Sequence, residues 1–222
     1  MYVEKNSSSQ EEFDLWEYNP ITNQTIQKAN FPGLPRESAV VFVIGKKAFV
    51  GLGGNNRLDP AYAYTCNDFY SYDQTTDQWT KIKDFPGSAR FGASAVSLGT
   101  YGYVIGDNSI GSPYGDNGFW RYDPSSNEWQ QLPPFPGEIR SGMELFTMKN
   151  KIYAGFGHDI YGLKNDLWVY DPQTAQWTQL EDCPNYKHAS GISFVLGNRA
   201  FVTTGGTDSA KIASAQFWQY VR

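Results

Sequence analysis

Aromatic residues in this chain alternate with polar ones in short segments that return at a nearly constant interval. Five segments place an aromatic residue two positions before a tyrosine, as in LWEYNP and LWVYDP. The tyrosines are spaced by 54, 50, 48 and 50 residues. Residues two apart in a β-strand point to the same face, so each segment predicts a strand with one aromatic face. These tyrosines are Tyr18, Tyr72, Tyr122, Tyr170 and Tyr220.

Each interval contains further features in a fixed order. A second tryptophan follows the tyrosine by seven residues at Trp79, Trp129 and Trp177, where the first unit has Thr25. The next feature is the tripeptide FPG, or CPN in the last unit. A segment of small and apolar residues follows, and after it comes an apolar segment that ends in glycine. The pattern predicts four short strands per unit, a to d, with an Asp-Pro turn between c and d because Pro restricts φ and Asp caps the turn.

A period near 50 residues with these motifs resembles the kelch-repeat family and, more broadly, the galactose-oxidase-like propellers. The resemblance covers nearly the whole chain. It implies an all-β fold, a kelch-type β-propeller of four-stranded antiparallel blades with about four complete repeats plus a partial one. We assign residues 13–222 to this domain and residues 1–12 to a disordered or irregular N-terminal segment.

The number of predicted strands does not match a usual ring of this family. We count four a, four b, five c and four d strands, whereas six or seven blades need 24 or 28 strands. A compact ring, a piece of a longer propeller and an open arc that pairs with another copy all remain open. In a ring, the TIQKA strand would lie beside QFWQYVR. Self-association is expected if the ring is incomplete.

Composition narrows the class of function. Aromatic residues make up 16% of the chain and charged residues 18%. The net charge of −5 argues against a nucleic-acid surface, which needs clustered cations. No apolar run approaches the roughly 18 residues of a membrane span, and the N-terminus has no apolar signal region. The resemblance to exported bacterial proteins favours an extracytoplasmic location.

Cys66 and Cys183 are too few for a disulfide framework and are predicted to be free thiols.

In propellers of this family, the b–c and d–a loops emerge on one face, which is the usual binding surface. The b–c loops of this chain differ greatly from one another and contribute Tyr62, Tyr64, Tyr114 and Tyr161. Exposed tyrosine suits both sugar stacking and protein contacts. These four residues are therefore candidate ligand-binding residues, with packing onto their own loops as the alternative.

A basic residue precedes strand a in every unit, at Arg36, Arg90, Arg140 and His188. By repeat symmetry the four side chains would surround one mouth of the central channel. Arginine can hold a carboxylate or sulfate with two parallel hydrogen bonds, so the column is a candidate anion site. The alternative is that each residue holds its own blade together.

Glu144 begins a predicted inner strand at a position where other units have Val40, Ser94 and Ile192. Burial there would raise its pKa, which makes it a candidate for acid–base chemistry. The chain has two histidines, in different units, and no spacing typical of a metal site. We therefore expect neither a metal nor a cofactor.

Two functions follow from these residues. The first is a non-catalytic binding module that recognises a protein or glycan through the b–c and d–a loop face. The alternative is an enzyme acting on an acidic sugar at the channel mouth, mutarotase- or epimerase-like. In that case Arg90 and Arg140 would hold the anion and Glu144 would transfer protons.

Overall fold

The structure of the protein is a computed structural model that describes residues 14–55, 64–106, 117–184, 187–206 and 217–221. Within these ranges the chain forms β-strands and loops without a helix. A search of the same ranges accordingly finds no helix that could span a bilayer. Two candidate ligand residues, Tyr62 and Tyr114, lie outside the described residues, as does the predicted N-terminal segment 1–12.

The strands form antiparallel sheets that follow one another along the chain. An N-terminal hairpin contains β1 (Leu15–Asn19) and β2 (Gln24–Lys28). The strands of the next unit are β3 (Val40–Ile44), β4 (Lys47–Gly51), the short pair β5 (Gly54–Asn55) and β6 (Tyr64–Thr65), β7 (Phe69–Asp73) and β8 (Gln78–Lys81). The unit after it contains β9 (Ser94–Leu98), β10 (Tyr101–Ile105), β11 (Phe119–Asp123) and β12 (Glu128–Leu132).

Two further units complete the described chain. The first contains β13 (Glu144–Met148), β14 (Lys151–Gly155), the short pair β15 (His158–Asp159) and β16 (Gly162–Leu163), β17 (Leu167–Asp171) and β18 (Gln176–Gln179). The second contains β19 (Ile192–Leu196), β20 (Arg199–Thr203) and β21 (Phe217–Val221). We name the four sheets that begin with β3, β9, β13 and β19 blades 1 to 4.

The predicted all-β propeller is confirmed strand by strand. Blades 1, 2 and 3 are four-stranded in the order a, b, c, d, and the described part of blade 4 contains strands a, b and c. The N-terminal hairpin supplies a c and a d strand. The two short pairs, β5–β6 and β15–β16, lie in the b–c loops and were not predicted.

The motif tyrosines of blades 2 and 3 fill the gap to the preceding blade. Phe42 stacks on Phe49 with centroids 5.0 Å apart, and the ring of Tyr122 from blade 2 lies 5.6 Å from Phe49. At the next junction, Tyr170 meets Phe119 edge-on at 4.9 Å. Truncating a buried ring of this kind typically costs about 3–5 kcal/mol, so these contacts are a main source of the fold's stability.

The c–d turns are closed by aspartate, as the Asp-Pro motif predicts. The carboxylates of Asp73, Asp123 and Asp171 each accept a hydrogen bond of 2.8–2.9 Å from the backbone N–H two residues later. Asn19 makes the same contact with Ile21 in the N-terminal hairpin. A short polar side chain that satisfies its own turn fixes the register of the two strands it connects.

The inner strands follow one another as an arc. Contacts run from β3 to β9, from β9 to β13 and from β13 to β19. Val41 and Val43 are exposed at one end, and Ile192 and Leu196 at the other. Among the described strands, β2 pairs with β1 and β21 pairs with β20, so the β2–β21 contact considered for ring closure is not formed there.

Candidate functional site

The basic column lies inside the blades. Arg36 donates hydrogen bonds to both carboxylate oxygens of Asp68, at 2.5 and 3.0 Å. Its guanidinium also bonds the Leu52 carbonyl and lies over the Phe31 ring, 5.1 Å from the centroid. Each arginine in this way ties the d–a loop to the turn that follows strand b of its own blade.

Blades 2 and 3 repeat this arrangement. Arg90 donates to the Gly106 carbonyl at 3.1 Å, and Arg140 donates to the Phe156 carbonyl at 3.2 Å and to Asp166 at 2.6 Å. Arg90 and Arg140 are 1% and 3% exposed. A ligand would reach either guanidinium only by displacing these contacts. The two arginines therefore have a structural role in holding the loops of their own blades, and their role in ligand binding stays a prediction.

The glycine of the FPG motif has a steric reason. A Cβ at Gly87 would lie 2.5 Å from the Phe85 ring and 2.9 Å from the Arg90 guanidinium. Glycine therefore leaves the space in which the guanidinium stacks on the phenylalanine ring. In blade 4 the column ends with His188, whose ring lies 4.5 Å from that of Phe156.

The d–a and b–c loops meet at the same end of the sheets. Isolated antiparallel bridges join Glu37 to Gly54, Ser141 to His158, and Ala189 to Gly206. In the second of these bridges the Ser141 hydroxyl also lies 3.3 Å from His158 Nδ1. Within the described residues, the d–a loop that enters a blade is thus tied to the residues that follow strand b of the same blade.

Blade 3 has the b–c loop that the structure describes in full, and this loop contains the β15–β16 hairpin. Tyr161, at its tip, is 76% exposed. The Lys164 ammonium lies 5.5 Å from the centre of the Tyr161 ring and forms an ion pair with Asp159 at 2.7 Å. An aromatic ring and a cation held side by side in this way can stack on a sugar ring and attract an anionic group.

Asp159 anchors the hairpin from below. Its carboxylate is buried and accepts a 2.8 Å hydrogen bond from the Tyr161 backbone N–H. Burial acts to raise the pKa of Asp159, but the hydrogen bonds from Lys164 and Tyr161 outweigh it and hold the pKa below its usual value. The carboxylate therefore stays ionised and keeps Lys164 oriented at the base of the exposed ring.

Glu144 lies at the junction of blades 3 and 4. Its carboxyl is buried against the segment that leads into β19, and burial raises its pKa to about 7. Hydrogen bonds with the Gly191 N–H and the Ser193 hydroxyl act in the opposite direction. Ser193 Oγ also lies 3.0 Å from the Leu145 carbonyl oxygen, the other acceptor for its one proton, so the hydroxyl links both blades.

His188 faces the same junction. Its Nε2 atom lies 3.8 Å from Glu144 Oε1, beyond hydrogen-bonding distance. Burial lowers the pKa of His188 to about 4, so the imidazole is neutral at pH 7. Glu144 and His188 therefore form a buried acid–base pair whose carboxyl titrates near neutrality, and not a fully charged ion pair.

The other predicted residues have these positions. Tyr64 lies in β6, and its hydroxyl donates a hydrogen bond to the Pro35 carbonyl, so it packs on the loop of its own blade. Cys66 and Cys183 are free and buried, as predicted. Among the described residues, no group of three or more His, Cys, Asp or Glu side chains is placed to hold a metal ion.

Sequence reasoning missed Lys164 and Asp159. Both residues are in a b–c loop whose sequence differs from those of the other units, so repeat comparison could not single them out. The segment HDIYGLK does place an acid and a lysine around a Tyr-Gly turn, which is the local signal of a tight hairpin.

Comparison with known proteins supports the fold over most of the chain. No family model matches the sequence. A solved structure titled "Structure of YjhT" superposes with a TM-score of 0.69 at 19% identity, covering 85% of this chain and 66% of that one. At this level of identity the similarity establishes a β-propeller fold and nothing more specific. The chain spans about two thirds of that protein's length.

Curated relatives match a shorter stretch. An N-acetylneuraminate epimerase from Yersinia enterocolitica is 35% identical over 81 residues, which are 35% of this chain and 20% of that enzyme. An N-acetylneuraminate epimerase from Yersinia pestis (strain Pestoides F) is 36% identical over 72 residues, 32% of this chain and 18% of the enzyme. The matched stretch spans about a fifth of these relatives.

Proposed function

We propose that the chain is a kelch-type propeller module that binds an acidic glycan through its loop face, without catalysing a reaction. The observation that carries the proposal is the exposed Tyr161 ring beside the Lys164 ammonium on the β15–β16 hairpin. The ring offers a stacking surface for a pyranose, and the ammonium offers a partner for its carboxylate.

Lys164 is the more accessible of the two cations in this part of blade 3, with its side chain 26% exposed against 3% for Arg140. Arg140 and Lys164 are each held by one aspartate, Asp166 and Asp159, in the same blade. His158 is exposed beside them and can donate one further hydrogen bond. The relatives named N-acetylneuraminate epimerase make a sialic acid the first ligand to test.

The test is isothermal titration calorimetry on the purified chain. N-acetylneuraminate is the acidic ligand, and neutral N-acetylmannosamine is titrated separately. We expect binding of the acidic sugar and at least about tenfold weaker binding in Tyr161→Ala, since a stacked ring is worth roughly 1–1.5 kcal/mol. Ile160→Ala, which truncates the neighbouring exposed side chain on the same hairpin, is the matched control and should bind normally. Equal affinity in wild type and Tyr161→Ala would refute this site.

A second candidate function is favoured by one observation, the burial of the Glu144 carboxyl, which raises its pKa to about 7. A carboxyl that titrates at neutral pH suits the uptake and return of a proton from a sugar, as epimerase-like chemistry requires. Because the carboxyl is buried under the segment that carries His188 and Gly191, this chemistry needs that segment to move.

Exchange spectroscopy separates the two functions. NMR can follow the interconversion of N-acetylneuraminate anomers, which would be faster with the protein than in buffer if the chain is an enzyme. Glu144→Gln keeps the shape of the side chain and removes the titrating proton, so it should abolish such catalysis while leaving sugar binding at Tyr161 intact. Binding without rate enhancement in wild type would leave the binding module as the function.

A further inference from the structure

Large apolar side chains are exposed at two places that are far apart in sequence. One is the N-terminal hairpin, where Trp16, Tyr18 and Ile26 face solvent. The other is blade 4, where Phe194 and Phe217 are 37% and 59% exposed. Apolar patches of this kind mark interaction surfaces in soluble proteins.

The blade 4 patch repeats a buried cluster of blade 1. Phe194, Phe201 and Phe217 occupy the same strand positions as three phenylalanines of the first blade, with neighbouring rings 5.2 Å apart. In blade 1 the equivalent cluster is almost completely buried, because the next blade covers it. Its members are Phe42, Phe49 and Phe69.

The residue that covers such a cluster is the tyrosine of the following unit. Tyr122 lies 5.6 Å from Phe49 and 6.5 Å from Phe42. Its hydroxyl is held by Asn127 of its own turn at 2.8 Å. The tyrosine is therefore fixed by its own hairpin before it contacts the neighbouring blade.

The hydroxyl of Tyr18 is held in the same way, but within the part of the chain that the structure describes its ring covers no such cluster. Its hydroxyl donates to Asn23, the equivalent turn residue, at 3.0 Å. Yet the side chain is 58% exposed. Because β2 and β21 are not paired in the described part of the chain, this hairpin does not cover the blade 4 cluster of its own molecule.

We propose that two copies of this chain associate head to tail, with Tyr18 of one copy packed on the cluster of Phe194, Phe201 and Phe217 of the other. A second copy is the occupant that the structure supports, because one chain carries both halves of a contact that its own blades already form. The contact is heterologous, since two different surfaces meet. Such contacts close into a ring or extend into longer assemblies, depending on the rotation between copies.

Sedimentation velocity over a range of concentrations tests the proposal on the 222-residue chain. Wild type should form dimers or larger assemblies as concentration rises. Tyr18→Ser and Phe194→Ser should each weaken association at least about tenfold, as expected for a central aromatic contact. Ile21→Ser removes an exposed apolar side chain at the tip of the hairpin and is the control that should associate normally.

Mixing the two variants distinguishes head-to-tail packing from other modes. Tyr18→Ser retains the phenylalanine cluster and Phe194→Ser retains the tyrosine, so an equimolar mixture should form a one-to-one dimer that neither variant forms alone. Phe217→Ser is a second substitution in the same cluster and should weaken association in the same way. Circular dichroism checks that this variant is folded. A wild type that stays monomeric, a mixture that does not recover, or an association unaffected by Tyr18→Ser would each overturn the proposal.

Discussion

The indole N–H of Trp79 donates a 2.8 Å hydrogen bond to the backbone carbonyl of Ala29, which belongs to the preceding unit. In return, Asp77 accepts a 2.9 Å hydrogen bond from the Ala29 N–H. The same indole contact joins Trp129 to Lys83 and Trp177 to Pro133. The second tryptophan of blades 1, 2 and 3 therefore connects each of these blades to the unit before it.

Loss of one such contact should destabilise the propeller modestly. Trp129→Phe keeps an aromatic ring but removes the donor to the Lys83 carbonyl, so we expect the free energy of unfolding to fall by about 1 kcal/mol. Urea denaturation followed by circular dichroism measures this. Trp16→Phe, which makes the same chemical change on the exposed hairpin, should alter stability by less than about 0.5 kcal/mol. If Trp129→Phe and Trp16→Phe lowered the free energy of unfolding equally, the hydrogen bond to the Lys83 carbonyl would contribute nothing to stability.

Arg140→Lys should be destabilising although the charge is kept. A lysine cannot bond the Phe156 carbonyl and Asp166 together or stack on Phe135, so the free energy of unfolding should fall by about 2 kcal/mol. A double-mutant cycle with Asp166→Asn in chemical denaturation measures the coupling. Unchanged stability together with lost anion binding would instead assign the arginine column to a ligand.

Replacing Lys164, the lysine of the β15–β16 hairpin, should lower the stability of the protein. Lys164→Met leaves the Asp159 carboxylate buried without its ammonium partner, which raises the pKa of Asp159 and lowers stability by about 2 kcal/mol. Thermal melts at pH 7 measure the loss. The double variant with Asp159→Asn should recover part of it, because the amide carries no charge to bury. A double variant that is less stable than Lys164→Met would contradict the assigned pairing.

The buried pair at the junction of blades 3 and 4 predicts a pH dependence. The pKa of Glu144 is raised to about 7, so the folded state holds this proton more tightly than the unfolded state. The stability it confers is present below the usual carboxyl pKa and is lost as pH rises to about 7. His188, with its pKa lowered to about 4, acts in the opposite direction, and its contribution is lost as pH falls from its usual pKa.

The variant Glu144→Gln separates the pH dependence caused by Glu144 from that caused by His188. The variant should gain stability relative to wild type between pH 5 and pH 8, by up to about 3 kcal/mol, since one pKa unit corresponds to about 1.4 kcal/mol. Melting temperatures of both proteins across this range measure the difference. A constant difference would mean that Glu144 does not titrate in the folded protein.

Local pattern was sufficient to predict the blades. The alternation of aromatic and polar residues has the period of a strand, and Asp73 and Asp123 close turns with partners two residues away. Both signals act over a few residues, so they can be read without knowing what packs against them. The unusual position of Glu144 was visible for the same reason, because the other repeats supply a comparison.

The partners of the candidate site residues could not be predicted in this way. Arg36 and Arg140 each pair with an aspartate 32 or 26 residues further along the chain, across a loop that varies between units. Lys164 and Asp159 belong to a b–c loop whose sequence differs from those of the other units. Repetition showed that the arginines matter, but not whether they face a ligand or their own blade.

The sequence by itself determined the strand order, the turns and the aromatic faces of this protein, because those depend on periodicity and on contacts between near neighbours. Tertiary structure alone decided which faces are covered. Tyr122 is buried and Tyr18 is exposed, although both stand in the same motif and bond the same turn position. The difference is the presence or absence of a neighbouring blade, and burial by a neighbour is a property of the assembled arc and not of the repeat.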